Sequence, residues 1–198
     1  MTTSPAPLRD PAPMLARTMA EWGGQQDLWV FGYGSLIWRP EFPFVERHPA
    51  RVHGWHRALK MWSHVNRGTP ERPGLVFGMF SGGSCRGMAF RIARHHVPEM
   101  MPRLWKREMA TDAYDPKWLD CQTEDGHVKA LAFTLSKSSP RCTGTLSEDD
   151  YRRIFAESCG IYGTTLDYAQ STFTALQQQG IRDHALERLL QLSHQRRA

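Results

Sequence analysis

No stretch of the sequence reaches the roughly 18 consecutive apolar residues that a membrane-spanning helix needs. The first residues also lack the basic start and apolar run of a secretory signal peptide. Cysteine is scarce, with four residues, and no two of them form the Cys-x-x-Cys pair of common zinc and redox motifs. Because reducing compartments keep such thiols free, we expect a cytoplasmic protein. The lack of an apolar span and of a zinc motif predicts that it neither enters a membrane nor carries a metal site.

The composition that is present indicates a globular protein with a positive charge. Hydrophobic residues make up 40% of the 198 residues, enough to bury a core, and the formal net charge is +5. That charge permits an anionic partner, either nucleic acid or a small acidic metabolite. Four prolines among the first 13 residues predict a partly disordered arm over 1–26, which contains a short amphipathic helix at 14–22. One domain over 27–198 follows.

Local patterns predict an α+β fold. Apolar, β-forming runs predict strands, the first of which ends in a Gly-rich loop. These runs cover 28–36, 50–62, 74–80, 85–93, 118–123 and 127–135. Residues 81–84 (Ser-Gly-Gly-Ser) and 124–126 (Glu-Asp-Gly) predict hairpin turns, and Gly54 a bulge. Helical periodicity covers 97–109, 147–158, 164–178 and 183–194. Because strands and helices do not alternate, we expect a curled antiparallel sheet or a small barrel.

The loop after the first strand, Gly32-Tyr33-Gly34-Ser35-Leu36, is a candidate anion site. Two glycines two positions apart let successive backbone N–H groups converge on a carboxylate or an oxyanion. The loop is not a dinucleotide fingerprint, because Ile37 stands where the third glycine is needed. A plain tight turn remains the alternative, since a short Gly-x-Gly is a weak signal.

Glu108 is the candidate catalytic carboxylate. It continues the apolar stripe of the predicted helix over 97–109 and falls near the helix C-terminus. Burial and the helix dipole would each raise its pKa, which suits a general base near neutral pH. In the alternative, the helix ends earlier and Glu108 is solvated, or it pairs with Arg107 or Arg103.

Aromatic and basic residues interleave along the predicted strand 51–62. Such a strand can stack the bases of single-stranded nucleic acid, or its long side chains can cover one end of a barrel. No recognised RNA-binding motif accompanies it, so the structural interpretation is favoured. A nucleic-acid-binding barrel would give no role to Glu108.

Several segments together resemble the ChaC-like γ-glutamylcyclotransferases. They are VFGYGSLIW (30–38), RVHGWHRALKMWS (51–63), RGTPERPGLV (67–76), GGSCRGMAFRI (82–92), Leu104-x-x-Arg107-Glu108 and Gly163–Tyr168. The resemblance spans roughly 28–190. It implies a small antiparallel β-barrel with flanking helices, no cofactor, and cleavage of glutathione to 5-oxoproline and Cys-Gly.

The resemblance also implies roles for individual residues. The catalytic carboxylate falls on Glu108, and a substrate-contacting tyrosine falls on Tyr168, before which Thr165 and Asp167 replace the Asn and Glu that relatives often carry. The binding loop falls on Tyr33, Gly34, Ser35 and Leu36. Candidates for holding the glycyl carboxylate of glutathione are Arg51, Arg57 and Arg67. The expected partner is therefore glutathione rather than nucleic acid, and the oligomeric state stays open. The presence of Glu108 argues against a pseudoenzyme that only senses γ-glutamyl ligands.

Overall fold

Five strands close into a barrel, and helices pack around it, in the computed structural model, which describes residues 10–110 and 113–193. The barrel strands are β1 (Leu28–Gly32), β2 (Glu46–Ser63), β3 (Gly74–Ile92), β4 (Asp115–Thr123) and β5 (Gly126–Thr134). A small hairpin comprises β6 (Cys159–Gly160) and β7 (Gly163–Thr164). The helices are α1 (Ala12–Trp22), α2 (Val97–Glu108), α3 (Glu148–Glu157), α4 (Thr165–Gln178) and α5 (His184–Gln191).

The barrel has the strand order β1-β3-β2-β4-β5, which confirms the predicted α+β barrel with flanking helices. Neighbouring strands are antiparallel except at the seam, where β1 and β5 run parallel and Val30 lies opposite Leu131. Five strands in a closed ring cannot all alternate in direction, so one parallel pair is required. The seam places the end of β1, and the loop that follows it, at one end of the barrel.

The predicted hairpin at residues 81–84 is wrong. β3 is one continuous strand of 19 residues, and its true connection to β2 is the segment 64–73. Gly82 and Gly83 have φ of +101° and +72° and lie where the β2–β3 register shifts at Gly54, whose φ is +78°. Gly54 is thus the predicted bulge. Hairpin turns and bulges both use glycine at positive φ, so the same residues signal either structure.

Local capping fixes where two of the helices begin. The Ser147 hydroxyl accepts the N–H of Asp150, and the Asp150 carboxylate accepts the N–H of Ser147, so α3 begins with a reciprocal capping box. Thr164 and Asp167 form the same arrangement at the start of α4. Each box satisfies backbone donors that a helix otherwise leaves unpaired. The second box fixes the first turn of α4, which carries Tyr168.

Helix α1 packs on the outside of the barrel, as the predicted amphipathic segment 14–22 requires. Thr18 is buried, the Trp105 indole N–H donates to the Pro11 carbonyl at 2.9 Å, and the Trp118 indole N–H donates to Glu21 at 2.9 Å. The first nine residues of the predicted arm lie outside the described residues. In the described part of the chain, each helix is too short or too polar to cross a membrane.

The basic and aromatic residues of β2 mostly serve the fold. The Arg57 side chain is 5% exposed, forms an ion pair with Asp183, and donates to the Tyr33 carbonyl at 2.9 Å. Trp55 and Trp62 are half-buried and pack against the core. These contacts support the structural interpretation of the strand, and they tie the loop after β1 to the C-terminal helices.

Candidate active site

The loop after β1 packs so closely against α4 that it needs a glycine. A Cβ on Gly34 would lie 2.8 Å from the Tyr168 hydroxyl oxygen. The φ of Gly34 is −131°, so space rather than a positive φ requires glycine here. The chain then forms a short 3₁₀ turn at Ser35–Ile37. Gly34 therefore brings the loop and Tyr168 into direct contact.

Tyr168 lies between the loop and strand β3. Its hydroxyl oxygen accepts the backbone N–H of Phe77 at 3.3 Å, and the backbone N–H of Ser35 also bonds to it. The Arg67 guanidinium lies 5.1 Å from the ring centroid, in cation–π geometry. Burial raises the pKa of Tyr168 to about 12, so the group is a neutral hydroxyl that can donate a hydrogen bond.

Glu108 is the last residue of α2, and its side chain is 15% exposed. Burial raises the pKa of its carboxyl; the Arg107 guanidinium opposes this and Glu41 reinforces it, so that the pKa lies above its usual range. The Arg107 Nε lies 3.1 Å from Glu108 Oε1, whereas Arg103 pairs with Glu99 at 2.7 Å. The helix reaches Glu108, so the carboxylate is partly buried and paired with Arg107.

Two buried tyrosines lie close to Glu108. The Tyr33 hydroxyl donates to the Phe133 carbonyl at 2.6 Å, and the Tyr114 hydroxyl donates to the Phe77 carbonyl at 3.0 Å. Burial raises the pKa of both tyrosines well above its usual value, and the nearby Glu108 charge adds to the effect. Both tyrosines are therefore neutral groups near the carboxylate. Tyr114 is not among the residues predicted from the sequence, because it belongs to no motif.

A cavity of about 680 Å³ is lined by three of the six predicted site residues. Ser35, Glu108 and Tyr168 line it, whereas the Tyr33 and Leu36 side chains are buried and anchor the loop. The cations among the described lining residues are Arg39, Arg67, Arg103, Lys106, Arg107 and Arg141, against the two carboxylates Glu41 and Glu108. This excess of positive charge suits a small anionic ligand.

The three arginines proposed to bind a carboxylate have different surroundings. Arg67 lines the cavity and donates to the Tyr162 carbonyl. Arg57 is committed to Asp183, and Arg51 is exposed on β2, outside the residues that line the cavity. Of the three, Arg67 alone is placed to meet a ligand in this cavity.

One group of described residues outside the cavity has metal-ligand chemistry: His48, Glu124 and Asp125. Their ligand atoms lie within 4.8 Å of one another, and both carboxylates are exposed. His48 Nδ1 lies 3.3 Å from Asp125 Oδ2, which makes an ion pair when the histidine is protonated. These residues do not line the cavity at Glu108.

Comparison with solved structures identifies the class of fold. A yeast protein described as a γ-glutamyl cyclotransferase specific to glutathione superposes with a TM-score of 0.78 and covers 86% of this chain and 96% of its own. The two sequences are 20% identical, so this likeness concerns the fold. The barrel with its flanking helices is thus the fold of the γ-glutamylcyclotransferases.

Sequence comparison then gives the family. Residues 28–196 match the family described as "ChaC-like protein", and this chain belongs to that family. It is 33% identical to the glutathione-specific γ-glutamylcyclotransferase of Escherichia coli over 90% of this chain and 78% of that protein. It is 30% identical to γ-glutamylcyclotransferase 2-3 of Arabidopsis thaliana over 84% of this chain and 89% of that one.

Proposed function

We propose that this protein cleaves glutathione to 5-oxoproline and Cys-Gly by intramolecular cyclisation. One observation carries the proposal: the partly buried carboxylate of Glu108, whose pKa is raised, lies in a cation-rich cavity together with Ser35 of the glycine loop and Tyr168. Relatives that cover most of this chain are named for glutathione-specific cyclotransferase activity, which supports the choice of substrate. Neither the fold nor the relatives favour a nucleic-acid-binding barrel.

The substrate contains its own nucleophile. The α-amine nitrogen attacks the γ-carbonyl carbon, the new C–N bond closes the five-membered ring, and the amide bond to the cysteine nitrogen breaks. Glu108 accepts a proton from the α-ammonium group and returns a proton to the leaving amine. No water is consumed, and the reaction needs neither a metal nor a cofactor. The enzyme's main task is to hold the γ-glutamyl arm folded for attack.

Tyr168 is suited to stabilise negative charge on the substrate. Two backbone amides, those of Phe77 and Ser35, bond to its hydroxyl oxygen. They polarise the hydroxyl and make its proton a stronger donor toward the oxyanion that forms during attack. The loop contributes by position: Tyr33 and Leu36 anchor it in the core, and Gly34 allows Tyr168 to approach.

Arg67 is suited to bind the glycyl carboxylate of glutathione. Burial lowers the pKa of Arg67, and the neighbouring Arg39 cation adds to this effect. Two cations in a half-enclosed cavity are stabilised by an anionic ligand. Because the glycyl carboxylate is remote from the reacting carbonyl, its binding energy can hold the substrate in the reactive conformation.

The proposal places the reaction in the cytoplasm. All four cysteines are free thiols, two buried, one half-buried and one exposed, as a reducing compartment allows. Cell fractionation with an antibody to the protein would test the location. Recovery in a secreted or membrane fraction would contradict it.

The direct test is to incubate the full chain with glutathione and a chelator and to measure 5-oxoproline and Cys-Gly by mass spectrometry. We expect equimolar products from the wild type and almost none from Glu108→Gln. Wild-type protein that forms no 5-oxoproline would overturn the proposal. Filter binding of an oligonucleotide at several salt concentrations tests the rival, for which steep salt dependence is expected.

A further inference from the structure

The Arg107 guanidinium connects the candidate base to the loop through all three of its nitrogens. Its Nε lies 3.1 Å from Glu108 Oε1, and its Nη2 donates to the Ser35 hydroxyl at 3.0 Å. Its Nη1 donates to the Arg39 carbonyl at 2.6 Å and to Glu41 Oε2 at 2.9 Å. A single side chain of α2 therefore holds the segment 35–41 at several points.

This arrangement differs from an ordinary surface ion pair. The Arg107 side chain is 22% exposed, and neighbouring residues on a helix do not normally face each other. Arg107 meets Glu108 because α2 ends there and the guanidinium turns toward the loop. A planar fork with fixed donors suits such a junction, and lysine cannot reproduce it.

We propose that Arg107 is a positioning residue of the reaction: it fixes Ser35 and the Glu108 carboxylate relative to each other, with Glu41 competing for its charge. The inference rests on the proposed function, since it assigns Glu108 the role of base. Glu41 is the second carboxylate on the same guanidinium, so it draws part of the positive charge away from Glu108.

Other groups face Glu108 from several elements. Tyr33, Tyr114 and Tyr168 approach from the loop after β1, from the segment before β4 and from α4, and all are neutral because burial raises the pKa of each. The remaining titratable lining residues of the cavity are Arg39, His64, Arg67, Arg103, Lys106, Arg141 and Tyr162. The charged side chains that act directly on the pKa of Glu108 are Arg107, which lowers it, and Glu41, which raises it.

Removing Arg107 and removing Glu41 should therefore shift the pKa of Glu108 in opposite directions. A base must be ionised, so activity falls on the acid side as Glu108 becomes protonated. Without Arg107 the pKa of Glu108 rises, and the acid limb of kcat/KM moves to higher pH. Without Glu41 that pKa falls, and the limb moves to lower pH.

The experiment measures kcat and KM for glutathione from acid to neutral pH in Arg107→Gln, Arg107→Lys and Glu41→Gln. We expect Arg107→Gln to lose about 10–100-fold in kcat with little change in KM, and to move the acid limb upward. Arg107→Lys should keep the acid limb near its wild-type pH, because the positive charge remains. It should lose part of kcat, because lysine lacks the planar guanidinium donors. Glu41→Gln should move the limb downward. Arg17→Gln, an exposed arginine in an ion pair on α1, is the matched control.

An unchanged acid limb in Arg107→Gln or in Glu41→Gln would overturn the inference. If circular dichroism shows that Arg107→Gln does not fold, the test rests on the acid limb of kcat/KM in Glu41→Gln. The carboxyl ¹³C signal of Glu108, assigned by its loss in Glu108→Gln, gives a readout that does not need turnover. The wild type could prove inactive while this signal still titrates at higher pH in Arg107→Gln and at lower pH in Glu41→Gln. That result would support the charge network and refute only the proposed function.

Discussion

A surface groove larger than the cavity at Glu108 is not the candidate active site. A groove of about 1030 Å³ lies between α1 and the β4–β5 hairpin, whereas the cavity at Glu108 measures about 680 Å³. In the groove, Arg17 pairs with Glu21 at 2.8 Å, and the Trp118 indole N–H donates to the same carboxylate at 2.9 Å. The polar groups of these three side chains thus satisfy one another.

The smaller cavity has the opposite character. Glu108 is partly buried there and its pKa is raised, cations outnumber carboxylates, and Gly34 lets the backbone approach Tyr168 closely. A buried titratable group among converging donors indicates chemistry more reliably than volume does. The difference between the two regions can be tested by substitution in each.

The largest effect is expected at Glu108. Glu108→Gln keeps the size of the side chain but cannot accept the proton, so kcat should fall by about 10²–10⁴-fold. Turnover is measured as 5-oxoproline, and circular dichroism checks the fold. Activity within about threefold of the wild type would remove Glu108 from the role of base.

The next largest effect, a loss of stability, is expected at the ion pair between Arg57 and Asp183, behind the loop after β1. Asp183→Asn keeps a side chain that can cap α5 but leaves the Arg57 charge buried without its partner. Breaking such a pair costs about 3–5 kcal/mol of unfolding free energy, measured by urea denaturation. Glu99→Gln, which removes an exposed ion pair, is the control and should change stability far less.

The same pair predicts a pH dependence of stability. Burial opposes ionisation of Asp183, but Arg57 and backbone N–H groups outweigh it, so its pKa lies below the usual value. Its stabilising contribution is therefore complete above the pKa of an unfolded aspartate, about 3.9, and is lost as pH falls through the lower folded value. Asp183→Asn should flatten this acid-side loss, and an unchanged pH profile would contradict the prediction.

A smaller effect is expected at the cavity wall. Arg67→Gln should lower kcat/KM for glutathione by about 10–100-fold, because a charge-assisted contact is worth about 1.5–3 kcal/mol. The glycine-amide form of glutathione lacks the carboxylate, so the substitution should matter much less for it. Equal losses with both substrates would show that Arg67 does not bind this carboxylate.

The smallest effect is expected in the groove. Arg17→Gln removes an exposed charge that pairs with Glu21 and touches nothing in the cavity. We expect kcat/KM within about twofold of the wild type, since such surface substitutions rarely matter. A tenfold loss would mean that the groove takes part in the reaction.

Short-range patterns determined much of this protein from the sequence alone. The Ser147–Asp150 capping box lies within one helical turn, so neighbouring residues suffice to predict it. The apolar stripe of α2 likewise predicted that Glu108 would be partly buried, because helical periodicity fixes the face of each residue. Family resemblance extended this local information to Tyr168.

Contacts between distant segments could be decided only by the tertiary structure. Ser81–Ser84 carries the glycines of a turn, yet pairing with the bulge at Gly54 makes it part of a continuous strand. Arg107 of α2 meets Ser35 of the loop after β1, 72 positions earlier in the chain. Tyr114, just before β4, meets Phe77 of β3, 37 positions earlier. Local propensity fixes elements, whereas the position of a side chain in a cavity depends on how those elements pack against one another.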